Sequence, residues 1–207
     1  MSAVRKMDPN ATYQPHTFSF SAENLEVAKE IISRYPQGKQ QSAVMPLLNL
    51  AQKQNDNWVP KAAMDEIAQM LSMAPMRVYE VAHFYTMYNL TPMGKHHVQL
   101  CTTTPCWLRG SDAIVSACKQ RLGVELGETT ADGVFTLSEV ECQGACVNAP
   151  MMMVSNTEGD LYYEDLSPES VVAVLDELAA GRAPKAGSQT GRQTSCPANG
   201  STTLKHA

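Results

Sequence analysis

Two short cysteine loops constrain this chain more than any other feature: Cys101-Thr-Thr-Thr-Pro-Cys106 and, after 35 intervening residues, Cys142-Gln-Gly-Ala-Cys146. A loop with three or four residues between its thiols folds back on itself, so each loop aims two soft sulfur ligands at one small object. Any fold for this sequence therefore has to carry two distant loops to the same end of one domain. Zinc knuckles place two to four residues between ligands, most often two, whereas a four-residue gap also opens the plant-type ferredoxin pattern. Gaps of four and then three favour a [2Fe-2S] cluster by a small margin and leave zinc open.

The residues between the thiols bear on that choice. Two ferric ions, two sulfides and four thiolates carry net negative charge, which grows on reduction, so the pocket has to supply donors and positive potential. Gly144 and Ala145 leave backbone N–H groups able to approach sulfur closely. Cys106 begins a helical stretch continued by Trp107, Leu108 and Arg109, and a helix start with a guanidinium nearby favours a bound anion. Arg109 reads equally well as a solvated surface charge. Glu139 and Glu141, close to the ligands in sequence, are either ordinary exposed carboxylates or charges that lower a reduction potential.

A chain of 207 residues with 43% hydrophobic content can bury one ordinary domain plus an appendage, or two small domains. Its net charge of -5 argues against nucleic acid or an anionic membrane as partner. No apolar run approaches the ~20 residues that span a bilayer. The leader MSAVRKMDPNATYQPHTFSF lacks the apolar segment of a secretory signal and is not Arg-rich. Six cysteines in such a chain read as metal thiols in a reducing compartment rather than a disulfide framework.

The order of elements divides the chain into a leader (1–20), a helical bundle (21–92), an α/β domain (96–181) and a tail (182–207). Ser21 caps a first helix with Leu25, Ala28, Ile31 and Ile32 on one face. Val44, Leu47, Leu48 and Ala51 mark a second, with Pro46 early in it. Pro60 suits the first position of a third, striped by Met64, Ile67, Ala68 and Leu71, and Pro75 opens a fourth through Val78, Val81, Ala82 and Tyr85. His83, Phe84, Tyr85 and Tyr88 at helical spacing read as core or interface rather than a cofactor box.

From His97 the pattern is β-α-β-β-β-α. Val98 and Leu100 alternate into Cys101, and one helix from Cys106 carries Ile114, Ala117, Cys118 and Leu122, which makes Cys118 a small buried hydrophobe. Val134 to Val140 is extended, Met151 to Val154 a buried strand, Ser155 to Gly159 a turn, and Leu161 to Tyr163 a further strand. Ser167-Pro168-Glu169 starts a helix that Gly181 stops. The tail, rich in Gly, Ser, Thr and Pro, should be irregular and ordered by a partner. Cys196 within it reads as a free thiol unless the fold brings it to Cys118.

CTTTPCWLRG followed by VECQGACVNAP resembles the thioredoxin-like [2Fe-2S] ferredoxin family, and within it the chains that serve respiratory complex I, NADH:quinone oxidoreductase. The likeness runs from about Phe18 to the tail. Gln143 departs from it, standing where an apolar residue is more familiar. The resemblance implies an α+β chain: an N-terminal helical bundle, then a thioredoxin-like domain whose Cys101, Cys106, Cys142 and Cys146 bind one [2Fe-2S] cluster. It implies an electron-transfer subunit without turnover of its own. The partners implied are a larger subunit carrying FMN and NADH, together with other peripheral-arm subunits. The location implied is the cytoplasmic face of a bacterial inner membrane or the mitochondrial matrix side.

The residues agree with that division of labour. A cluster carries one electron and a nicotinamide delivers two, so a flavin must intervene. The chain shows neither Gly-x-Gly-x-x-Gly nor a P-loop. Two other readings stand: an equivalent subunit of an NAD-linked hydrogenase or formate dehydrogenase, and a zinc-stabilised interaction module.

Overall fold

Ser21 starts the first helix as its side chain requires: its hydroxyl accepts the Asn24 N–H at 3.1 Å, and α1 runs Ala22–Ser33. In the computed structural model, which describes residues 14–195, the chain divides between Met93 and Gly94 into two compact units. The first holds α1, then α2 (Val44–Gln54), α3 (Lys61–Met70) and α4 (Pro75–Phe84). A single 3-10 turn, Gln40–Ala43, leads into α2, and Pro60 stands one residue before α3 as its cap. Leu47, Leu48, Val59, Met64 and Ile67 fill the centre of this unit and are fully buried. Tyr88 belongs to the same core, its hydroxyl donating to the Met45 carbonyl at 2.9 Å, while Phe84 is 77% exposed. The aromatic run thus splits, because α4 ends at Phe84 and the chain turns inward again at Tyr88.

The second unit is built on a five-stranded mixed sheet in the order β2-β1-β3-β4-β5. Its strands are β1 (His96–Cys101), β2 (Phe135–Val140), β3 (Met152–Asn156), β4 (Gly159–Glu164) and β5 (Gly187–Ser188). β1 pairs parallel with β2 and antiparallel with β3, β3 antiparallel with β4, and β4 parallel with β5. Register sets the core: Leu100 lies opposite Met152 and Met152 opposite Tyr163, so period-2 alternation aligns a row of buried side chains across three strands. That row packs with Ile114 and Cys118 of α6 (Ser111–Leu122) and with Val171, Val174, Leu175 and Leu178 of α7 (Pro168–Ala179). Ser167 and Ser170 close a reciprocal cap at the start of α7.

Three expectations need correction. The helix expected from Cys106 to Leu122 is two: α5 (Thr104–Leu108) and α6, separated at Gly110, whose φ of 90° is a left-handed conformation that glycine adopts without a Cβ clash. The turn expected over 155–159 is shorter, since Asn156 and Gly159 are paired strand residues. The segment after α7 is not irregular up to Ser195: it adds β5 to the sheet edge and is held by side chains of β4 and the loop that follows it. Cys196 lies outside the described residues. No helix among the described residues is long and apolar enough to cross a membrane.

Candidate metal centre

The two cysteine loops meet at the end of β1. Cys101 is the last residue of that strand, 2% exposed, with its N–H donating to the Met151 carbonyl at 3.3 Å. Cys106 sits in α5 and is 1% exposed. These two thiols, Ala145, Ala149 and Met151 form a small apolar cluster of their own, with Tyr162 packed against it. Cys142 and Cys146 lie on the loop between β2 and β3, and both are exposed. Half of the sulfur set is therefore inside the protein and half faces outward.

The thiols approach one another closely. Cys142 Sγ lies 3.3 Å from Cys146 Sγ. The Cys106 thiol is pushed up to about 12, by burial first and then by Cys101 beside it. Cys146 is raised by Cys142, with Cys101 contributing. Four thiols in one neighbourhood resist losing protons together, since each thiolate raises the cost of the next. A metal removes that penalty, because it takes the thiolate form outright. Among the described residues no three Cys, His, Asp or Glu side chains are grouped around one ion position.

Donors stand where a cluster anion would need them. Gly144 has φ of 80°, and this left-handed turn directs its N–H to Cys142 Sγ at 3.4 Å, which holds that thiol below its ordinary range. Thr103 occupies the position before α5 but does not cap it; its hydroxyl lies 3.2 Å from Cys101 Sγ. Tyr162 donates to the Gln143 carbonyl at 2.8 Å and lies 3.4 Å from the Gln143 side-chain oxygen. Gln143 thus faces a hydroxyl, which accounts for a polar residue at a position where the resemblance led us to expect an apolar one. Glu139 accepts the Thr102 hydroxyl and so is tied to the first cysteine loop. Arg109 is exposed and shares a groove with Val147, Pro150 and Arg192. Cys118 is far from this chemistry in kind: fully buried in the main core, with its thiol pushed up to about 12 by burial. Neither the Thr103 nor the Tyr162 contact has a local sequence signal, because each depends on how β1, β4 and the loops come together.

A sheet flanked by helices, with four thiols and sulfur-directed donors at one end of it, defines a small redox protein of the ferredoxin type. The family model for the thioredoxin-like [2Fe-2S] ferredoxin matches residues 28–179, and the chain belongs to that family. Membership decides between the two metals that spacing left open: the cofactor implied is a [2Fe-2S] cluster, not zinc.

Among its relatives is an NADH-quinone oxidoreductase subunit of Rickettsia bellii, 54% identical over 161 residues, covering 78% of this chain and 94% of that one. Another is the mitochondrial NADH dehydrogenase [ubiquinone] flavoprotein 2 of Dictyostelium discoideum, 50% identical over 190 residues, covering 91% of this chain and 75% of the relative. Of solved structures, an NAD+-reducing [NiFe]-hydrogenase in the H2-reduced state aligns with a TM-score of 0.58 at 18% identity. That match covers 68% of this chain and 22% of the hydrogenase chain, and at this identity it speaks to the fold.

Proposed function

We propose that this chain is the [2Fe-2S] electron-transfer subunit of an NADH:quinone oxidoreductase of the complex I type. In this reading it accepts single electrons from the FMN of a larger NADH-binding partner, with Cys101, Cys106, Cys142 and Cys146 as ligands. The observation that carries it is the gathering of two buried and two exposed thiols at the end of β1, in a chain about half identical to proteins named for that enzyme. The donor set fits the group: four soft sulfurs, a backbone N–H on Cys142 and a hydroxyl on Cys101. When bound, the cluster supplies a one-electron acceptor.

The chain's own residues supply the rest. Cys101 and Cys106, on regular elements and buried, fix one side of the site and keep water from it. Cys142 and Cys146 leave the other side open, which is where an electron has to enter. Trp107, Leu108 and Val147, which neighbour the ligands in sequence, are 58%, 70% and 76% exposed, and apolar side chains so placed suit a partner surface. The oxidoreductase would lie on the cytoplasmic face of a bacterial inner membrane or on the matrix side of a mitochondrial one, with this subunit outside the lipid.

The test is direct. Full-length protein should be reddish-brown, contain two irons and two acid-labile sulfides per chain, and bleach with dithionite. Serine at Cys101, Cys106, Cys142 or Cys146 should abolish or distort that spectrum, and serine at Cys118 should keep it. A parent spectrum from any of the first four would remove that residue from the ligand set.

A further inference from the structure

The segment after α7 is fastened to the loop that carries the exposed cysteine pair. β5 lies beside Tyr163 and Glu164 of β4. Beyond it the Arg192 guanidinium donates to both Asp165 oxygens, its Nε at 3.0 and 2.9 Å and its Nη2 at 2.7 Å, and Nη2 also reaches the Val147 carbonyl at 2.9 Å. The Asn148 amide donates to Glu164 Oε2 at 2.8 Å and to the Gln193 carbonyl at 2.7 Å. Ser195 gives its N–H to Glu164 Oε2 at 3.0 Å and its hydroxyl to Glu164 Oε1. Val147 and Asn148 directly follow Cys146.

Glu164 explains why these contacts act as one. It is 2% exposed and Asn148 is 1% exposed. A carboxylate this buried is costly unless its oxygens are saturated with donors. Two of its donors come from Ser195 and one from Asn148. Seating the segment and fixing the ligand loop therefore satisfy the same buried acid. The loop needs such fixing, because Cys142, Gly144, Cys146 and Val147 are all exposed and polar contacts hold what apolar packing does not.

We propose that residues 187–195 form a strap that sets the position of Cys142 and Cys146, with Arg192 and Glu164 as positioning residues for the cluster. The proposal rests on Cys142 and Cys146 being ligands. Arg192 cannot touch the cluster through these contacts; it acts through the Val147 carbonyl and Asp165. Moving the exposed pair relative to the buried pair changes iron–sulfur geometry, which a merely stabilising contact elsewhere would not do.

The experiment compares Arg192→Ala with Arg182→Ala in the full-length, cluster-loaded chain. Arg182 is a matched control, since it forms an exposed ion pair with Glu177 at 2.5 and 2.8 Å. Arg192→Ala should load the same iron as the parent. It should then lose cluster absorbance to a chelator several-fold faster than the control, and its reduced-state EPR g-values and midpoint potential should move. Arg192→Lys, which keeps the charge without the fork, should fall between. If Arg192→Ala does not accumulate as folded protein, Ser195→Ala carries the same comparison, because it removes one donor from Glu164. Chelation rate, g-values and potential all equal to those of Arg182→Ala would overturn the strap. Should that occur while serine at Cys142 or Cys146 still destroys the cluster, the ligand reading stands and the strap alone fails. A parent spectrum in those serine variants would instead mean that the ligand reading has failed.

Discussion

Thr103 is placed where a helix-capping hydroxyl would serve α5, yet its oxygen lies against Cys101 Sγ at 3.2 Å and it also bears on Cys142. Against a thiolate the hydroxyl must donate, since the sulfur carries no proton. A donor to a ligand sulfur stabilises negative charge, and it does so more after an electron has been added than before. Thr103→Val keeps the shape and removes the donor, so the midpoint potential should fall. A redox titration that returned the parent value or a higher one would count against this role. The same logic separates residues whose roles were readable from those that were not. The ligand set could be proposed from spacing and resemblance alone. Thr103 looked like one of three equivalent threonines, and the fold distinguishes them by giving Thr102 to Glu139 and Thr103 to sulfur.

At the scale of elements, apolar periodicity located the helices and missed one break, because the stripe through Ile114 and Cys118 continues in phase while Gly110 interrupts the backbone. Strand β1 was legible from Val98 and Leu100; what its first residue does was not. His96 is 6% exposed, tilts against the Phe135 ring at 5.5 Å, and neither ring nitrogen has a hydrogen-bond partner among the described residues. Burial, then the neighbouring Lys95 charge, holds it below its ordinary value of 6.5, with Glu158 opposing weakly. A depressed folded-state value means that the unfolded chain takes up the proton first. This contribution to stability is complete above about pH 6.5 and is lost as pH falls through the lowered value. His96→Phe retains a ring against Phe135 and cannot titrate. Its melting temperature should therefore drop less than the parent's between about pH 7.5 and pH 5.5. Equal drops would show that His96 does not couple to folding.

For the whole molecule, the readable parts were those with local pattern: helical stripes, alternating strands and paired cysteines. The strap was not readable, since Gly, Ser, Thr and Pro carry no periodicity. Its attachment comes from Glu164 and Asp165, far upstream in sequence, meeting Ser195 and Arg192. That arrangement leaves one open side to the cysteine site and no Gly-x-Gly-x-x-Gly or P-loop anywhere in the sequence, which fixes what the chain should do by itself. A nicotinamide hands over two electrons as a hydride, and a single [2Fe-2S] centre takes one, so NADH alone has no route into this protein. Under anaerobic conditions NADH should leave the visible absorbance of the isolated full-length chain unchanged, while dithionite bleaches it. The reduced, desalted chain should then regain its colour on addition of the oxidised flavin-bearing partner, at a rate that saturates as partner is added because transfer occurs within a complex. Mixing with free flavin at the same concentration should show no saturation. If NADH alone bleached the isolated chain to the extent dithionite does, the division of labour between this subunit and a flavoprotein would be wrong.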